Sequence, residues 1–333
     1  ELMSGTAKFL ESQGYTIKCL NLEHMDESCR YNPFAYVYED ADLLVMVKAL
    51  TENIEGPKKG GGGDNKFWDE TSETLLVALC GYLFEVCKDD NEYLYEYETN
   101  AEGNTICDEN GNPMVKKDAD GNPVYKLRHK TDIHGKPLVD QNGNAIMEKC
   151  PNAHWKGCRN FTNVLNLLNM ADVSDDRQVD KDDLDKLFDD LEKSNPSSYA
   201  VSQYKVIKQA GTGKTAQNII ISTSAIFARF FQLDKINNLT YRDEIHLEEL
   251  GQKKCALFIV TPQGDTTYNF LASMLYTQLF ATLYHQGEMN AKTRHTTSVK
   301  LDVPVRCLID EAANVGVIPQ FAEKLATMRK YGI

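Results

Sequence analysis

Apolar residues recur along this chain at helical spacing in several stretches and at strand-like density in a few short ones. Leu2 to Ser12 reads as a helix, and Thr16 to Leu22, after Gly14, reads as a short buried strand. Asn32-Pro33 then breaks the chain, and Leu43, Leu44, Val47, Leu50 and Ile54 give the stretch from Asp40 a helical face. Lys58 to Asp64 holds four consecutive glycines and reads as a flexible loop, before helix periodicity returns through Phe67, Leu75, Leu76, Leu79, Leu83 and Val86. Further helices are predicted at Phe161 to Met170 and Asp182 to Lys193, then along a pattern from Ser202 to Phe231 and at Asp265 to His285. Ala256 to Val260 and Val305 to Ile309 read as buried strands. Strands with crossover helices therefore frame a mostly helical block, which predicts an α/β domain interrupted by an all-α one.

Residues 89–148 differ in kind. They hold thirteen acidic and six basic residues, a net −7 of the −13 carried by all 333 residues. Five degenerate units share one order, beginning at Asn100, Asp108, Asp118, Asp132 and Asp140 and placing Gly at 103, 111, 121, 135 and 143. Asp or Asn starts a turn, Gly supplies positive φ, and an apolar residue follows, so the segment reads as a β-hairpin insertion. An Asp-rich calcium loop is the sharper reading, but no unit has the EF-hand order ending in Glu.

The charge balance argues against a surface that coats nucleic acid non-specifically, since that binding is won by Lys and Arg. The longest apolar run, Ile219 to Phe231, carries Ser222, Thr223, Ser224 and Arg229 and falls short of the roughly 20 residues of a membrane span. Nine cysteines, most in apolar runs, suit buried thiols better than a disulfide framework. Cys150, His154 and Cys158, with Cys107 as a fourth, are spaced for zinc only loosely, so a structural role is preferred.

Two motifs bear on nucleotide chemistry. Gly211-Thr212-Gly213-Lys214-Thr215 has the end of a phosphate-binding loop, but Lys208 stands where the first Gly is needed, and Tyr204 to Ala210 reads as helix rather than strand. It is read as a decoy. Val305-Arg306-Cys307-Leu308-Ile309-Asp310-Glu311 is an apolar strand ending in two acids, the Walker B arrangement, in which the first acid holds Mg²⁺, usually through water, and the second polarises the attacking water. The plainer alternative is a strand whose terminal Asp caps the next helix.

From Leu308 the string Ile309-Asp310-Glu311-Ala312-Ala313-Asn314-Val315-Gly316, through Pro319 and Phe321 to Leu325 and Arg329, closely resembles the TraG family of type IV coupling proteins. Asn32-Pro33-Phe34, Lys66-Phe67-Trp68, Arg159-Asn160-Phe161-Thr162, Tyr204 to Ser222, Ala256 to Pro262 and Asn269 to Phe280 also look like family blocks. The resemblance covers nearly all of the chain outside the hairpin insertion.

It implies a RecA-like P-loop NTPase-type parallel sheet, partial here, over 1–32 and 233–333, interrupted at 33–232 by an all-α domain that carries the insertion at 89–148. It implies a membrane-anchored homo-hexameric ATPase on the cytoplasmic side of the plasma membrane, using ATP and Mg²⁺. Its partners would be relaxase and relaxosome, single-stranded DNA and the type IV secretion channel. By position Asp310 would serve Mg²⁺ and Glu311 would be the catalytic acid. Arg329 matches a family arginine that reaches the neighbouring subunit's nucleotide. The Gly-Lys-Thr at Lys214 falls in the family's all-α domain, away from its phosphate-binding loop. That loop and the anchor are expected upstream of Glu1, so the chain reads as an internal piece that would be catalytically silent alone. Competing readings are a non-catalytic substrate-docking module presenting the hairpins, and a different RecA-like DNA translocase; the block after Asn32-Pro33 and the Asp310 to Phe321 string argue against the latter. Lys214→Ala in the full-length protein is expected to leave nucleotide binding intact, measured with a fluorescent ATP analogue; complete loss with the fold retained would reverse the decoy reading.

Overall fold

The computed structural model describes residues 2–54, 63–109, 111–131, 136–140, 142–171, 182–210 and 214–310, then 315–333. The chain divides into two compact units, Glu1–Glu85 with Asn160–Ile333, and Val86–Arg159.

In the larger unit, α1 (Leu2–Ser12) leads into β1 (Thr16–Asn21), which pairs in parallel with β4 (Cys255–Val260) in the register Thr16↔Cys255 to Asn21↔Val260. Parallel partners need a crossover, and here it contains the whole helical block. The helices are α2 (Asp40–Ile54), α3 (Gly63–Val86), α4 (Phe161–Leu168), α5 (Asp183–Ser194), α6 (Tyr199–Ala210), α7 (Lys214–Phe231) and α8 (Asp234–Thr240), with α9 (Asn269–Thr293) and α10 (Phe321–Tyr331) after β4. The unit is α/β, as the periodicity predicts. The helix expected over Asp265 to His285 starts four residues later and runs to Thr293. The single pattern expected from Ser202 to Phe231 is two helices, and α6 stands before the Gly-Lys-Thr sequence where a phosphate-binding loop needs a strand. Residues 211–213 and 55–62 lie outside the described residues; the latter take in most of the glycine loop expected at Lys58 to Asp64, whose last two residues instead begin α3.

An aromatic chain joins the block to the rest. Phe161 of α4 meets Phe34 edge-on at 5.4 Å, Phe161 lies 4.6 Å from Phe231, and Phe231 and Phe230 of α7 both reach Phe270 of α9. Each fully buried ring of this kind contributes about 1.5–3 kcal/mol by leaving water. Beside it, the two crossings of the chain are tied by polar contacts. Asp243 accepts from Tyr36 Oη (2.7 Å) and from the N–H groups of Asn32 and His246. Tyr31 Oη donates to Gln278 of α9 and Gln278 Nε2 donates to Pro33 O. Burial still outweighs these donors and pushes the Asp243 carboxyl above its usual range.

The smaller unit holds the predicted hairpins, in an arrangement that spacing alone does not disclose. Three residues from three segments repeatedly exchange backbone hydrogen bonds in a closed ring. Ile106 N–H donates to Glu98 O, Met114 N–H to Ile106 O, and Glu98 N–H to Met114 O, all at 2.8–2.9 Å. Glu96, Lys116 and Val124 form a second ring, Leu94, Lys126 and Cys150 a third, and Lys130, Leu138 and Ile146 a fourth. The rings are nested, so the chain branches from Leu94 outward like a tree whose tips are the Asx turns. Each ring pairs three donors with three acceptors, leaving no edge there for another strand. The short antiparallel pair β2 (Leu127–His129) with β3 (Met147–Lys149) bridges two rings.

At the tips the acidic side chains are engaged by their own turns. Asp118 Oδ1 accepts from Asp120 N and Asn122 N, Asp140 Oδ1 from Asn142 N and Asn144 N, and both carboxyls are held below their usual range by those donors. No group of three metal-ligating side chains gathers among the described residues. Lys149 Nζ lies over Tyr125 at 3.9 Å, with Tyr95 stacked obliquely on that ring. Residues 132–135 of the fourth repeat lie outside the described residues. Among the described residues no helix is long and apolar enough to cross a membrane.

One buried charge offers a direct test. Lys18 of β1 is buried, donates to Ile245 O at 2.5 Å and pairs with Glu249 at 2.7 Å, while Lys253 reaches the other Glu249 oxygen at 2.9 Å. The two lysines hold the Glu249 carboxyl down to about 2 from its ordinary 4.5. A depressed carboxylate stabilises the fold above its unfolded value, and that contribution is lost as pH falls through the folded one. Glu249→Gln is therefore expected to flatten the loss of stability between pH 4.5 and 2 relative to wild type, measured by urea denaturation at stepped pH; parallel curves would show that the pair contributes nothing.

Candidate functional site

The segment leading to Asp310 runs extended from Val303. Val303, Val305, Cys307 and Ile309 are half-buried, whereas Pro304, Arg306, Leu308 and Asp310 are exposed, Leu308 at 72%. This is the period-two alternation of a strand, but among the described residues the segment makes no ladder with β1 or β4, which pair with each other. Its backbone is held instead by residues near the end of α10 and by Gly251: Val305 N–H donates to Gly332 O, Leu301 N–H to Tyr331 O and Val303 N–H to Gly251 O, each at 3.0 Å. The buried strand predicted over Val305 to Ile309 is thus corrected to an extended segment with one covered face. An apolar run looks the same in sequence whether or not a neighbouring strand is beside it.

The covered face rests on α9. Phe280 of that helix forms a cluster with Val315, Ile318 and Met328, against which Cys307, Ile309, Tyr276 and Phe321 pack. Burial pushes the Tyr276 hydroxyl up to about 12 and raises the Cys307 thiol, so both stay neutral packing groups at ordinary pH. Helix α10 docks on the same side of α9. Tyr331 stacks on Tyr284 at 4.3 Å, Phe321 on Phe280 at 6.0 Å, and Tyr284 Oη donates to Lys324 O at 2.6 Å. Gly287 of α9 makes the approach possible, since a Cβ there would lie 2.2 Å from Val299 O and 2.6 Å from the Tyr331 ring.

The predicted site residues fall on this scaffold as follows. Asp310 is exposed at the end of the extended segment, and Arg329 is exposed on α10 while its neighbours Met328 and Tyr331 are buried. Both come from elements packed on α9 around Phe280. No ion pair joins them or engages either among the described residues. Glu311 lies outside the described residues, together with Ala312, Ala313 and Asn314. Asp310 offers hard oxygen donors of the kind Mg²⁺ or its bound water takes, and Arg329 a guanidinium suited to phosphate. The described residues do not include a glycine-rich phosphate cradle.

One residue that reads from sequence only as helix end organises the loop after the acids. Asn53 of α2 accepts from Val317 N at 2.7 Å through Oδ1, and its Nδ2 donates to Val317 O and to Ser273 Oγ, both at 3.0 Å. Ser273 Oγ also donates to Val317 O. Gly316 has φ +82°, and a Cβ on it would lie 2.4 Å from Asn53 Oδ1. Asn53 thus binds the backbone just beyond the acidic pair as a strand neighbour would. The sequence signal was faint: a polar residue on the apolar side of a helix, and a glycine two places past an Asn.

Cys150, Cys158 and His154 do not converge. Cys150 Sγ lies by Pro151 O, while Cys158 lies beside Cys87, a residue that motif spacing does not single out.

The arrangement defines an α/β protein that delivers an acid from an extended segment and an arginine from the following helix. Over residues 1–333 the chain matches the family described as Type IV secretory system Conjugative DNA transfer, and it belongs to that family. No curated protein sequence matches it at a significant level.

Asn53→Ala is expected to cost about 0.5–1.5 kcal/mol, because it removes the side-chain hydrogen bonds to Val317 N and O and leaves the carbonyl to Ser273 Oγ alone. Hydrogen exchange at Val317 should accelerate in the same variant; unchanged denaturation and exchange would show that the clamp does not hold the loop.

Proposed function

We propose that this chain is part of a conjugative coupling ATPase that recruits a relaxase–DNA complex and drives DNA transfer by ATP hydrolysis. The observation that carries this reading is the delivery of Asp310 to an exposed position, without an ion pair among the described residues, by a segment whose other face is packed on α9, with Arg329 exposed on the next helix. Membership of the conjugative transfer family supports it, as does the parallel β1–β4 pair flanking a helical block. In this reading residues 1–32 and 233–333 belong to a RecA-like nucleotide-binding domain and 33–232 to an all-α domain that receives cargo.

Bound Mg²⁺ would offset the phosphate charge that slows phosphoryl transfer. Asp310 would hold its water ligands, and Glu311 would orient and polarise the attacking water. Arg329, turned away from its own chain's core, would serve the nucleotide of a neighbouring protomer in a hexameric ring on the cytoplasmic side of the membrane. That assignment gives an exposed guanidinium, which has no ion pair among the described residues, a reason to be so placed.

A second reading is a substrate-docking module, favoured by a separate unit, Val86–Arg159, with its own hydrogen-bond network and an acidic stretch at 89–148. One experiment separates the two. In the full-length protein, Glu311→Gln is expected to retain ATP binding while abolishing turnover and conjugative transfer. Arg329→Ala should lower kcat by about 10³-fold or more, as for arginines supplied in trans. Wild-type ATPase rates in the Glu311 variant would overturn the motor assignment, and normal transfer by it would favour docking.

A further inference from the structure

Within the unit Val86–Arg159 the first and last segments run side by side. Asp89 N–H donates to His154 O at 2.8 Å, Lys156 N–H to Asp89 O at 2.7 Å, and Asn152 N–H to Glu92 O at 2.9 Å. Asn152, itself buried, adds side-chain donations to Asp89 Oδ2 and Asn91 O, both at 3.0 Å. This double-stranded neck is where the branched hairpins begin, and a cysteine stands on each side of it. Cys87 precedes the first segment and is buried; Cys158 follows the last and is half-buried.

The fold brings the two sulfurs together. Cys87 Sγ lies 3.6 Å from Ala153 O and Cys158 Sγ lies 3.8 Å from Asn152 O, so they sit by successive carbonyls of one turn. They also hydrogen-bond to one another. The local chain is shaped for this. Cys158 N–H closes a short 3₁₀ turn onto Trp155 O at 2.9 Å, and the Trp155 ring folds over Gly157, where any Cβ would lie 2.3–2.5 Å from ring atoms.

We propose that Cys87 and Cys158 form an oxidisable dithiol, a modification site at which a low-molecular-weight disulfide such as oxidised glutathione is reduced and an intramolecular disulfide closes the neck of the hairpin unit. Cys158 is the attacking group: it is the more accessible, and the hydrogen bond from Cys87 pushes its thiol down to about 7, against the opposing charge of Glu92. Cys87 keeps its proton, held by that same bond and by burial, with Asp89 reinforcing and Arg159 opposing.

The chemistry balances in two exchanges. The Cys158 thiolate attacks one sulfur of the reagent, the reagent's S–S bond breaks, and one glutathione thiolate leaves. Cys87 gives its proton to that thiolate and attacks Cys158 Sγ, expelling the second glutathione. Two protein thiols are oxidised and one small disulfide is reduced to two thiols. Exposed Cys107, on a hairpin distant in sequence from either, has no second thiol engaged with it in this way among the described residues.

The full chain, reduced and then incubated with oxidised glutathione, acid-quenched, alkylated and digested without reductant, tests this directly. The expected map links the Cys87 peptide to the Cys158 peptide, two hydrogens lighter than their sum, and the link disappears in Cys158→Ser while Cys87 becomes fully alkylated. A stable glutathione adduct on Cys158 beside an alkylated Cys87 would overturn the proposal, as would alkylation of both thiols while Cys107 carries glutathione. The wild-type map needs no variant to fold, so a misfolded Cys158→Ser protein leaves the outcome decisive.

Discussion

Helix α9 is the element on which the larger unit depends, because it is enclosed by protein along most of its length. Phe270, Leu271, Met274, Leu275, Leu279, Phe280 and Leu283 are all buried, at positions spread around the helix rather than along one stripe. A helix covered on every side must find partners for its polar residues as well as its apolar ones. Ser273 meets Val317, Thr277 bonds back to Ser273 O, and Gln278 meets Tyr31 and Pro33. These contacts, with Asn53 on Ser273, bring together α2, the first chain crossing and the loop after the acids, while apolar packing on α9 adds the segment before Asp310 and α10. The placement of Asp310 and Arg329 follows from docking onto one buried helix.

The acidic segment follows a different physical logic. It has few large apolar residues to bury, and its order comes from backbone hydrogen bonds closed into rings and from carboxylates that accept their own turn amides. The segment spacing of eight residues between ring members such as Glu98, Ile106 and Met114 is visible in sequence, whereas the closure of three segments on one node is not. Asp and Asn at turn starts serve first as caps, which is why their charge need not imply a cation. The −7 carried by residues 89–148 thus lies in a stretch remote in sequence from the residues proposed for nucleotide chemistry.

The candidate site was legible unevenly. Asp310 could be found from a local string, because an apolar run ending in two acids has a recognisable chemical purpose. Arg329 could be found only through family resemblance, since nothing about a lone arginine near a helix end distinguishes it from a solvated one. Asn53 was invisible, lying more than 250 residues from the backbone it holds. Cys87 was passed over because metal-ligand spacing directs attention to cysteines close in sequence, whereas the partner it meets is at the far side of the hairpins.

What the sequence by itself determined was local: the helices at Asp40 to Ile54 and Asp183 to Ser194, the strands near Thr16 and Ala256, and the turn units at Gly103, Gly111, Gly121 and Gly143, each governed by periodicity or by the φ a glycine permits. Tertiary structure alone decided which of those elements share a surface. It paired β1 with β4, left the Asp310 segment extended but unladdered, set Asn53 against Val317 and joined Cys87 to Cys158. The reason is physical. A helix or turn is chosen by interactions among residues a few positions apart, while strand pairing, clamps and thiol contacts depend on neighbours brought close only by the burial of α9 and by the closure of the hairpin rings.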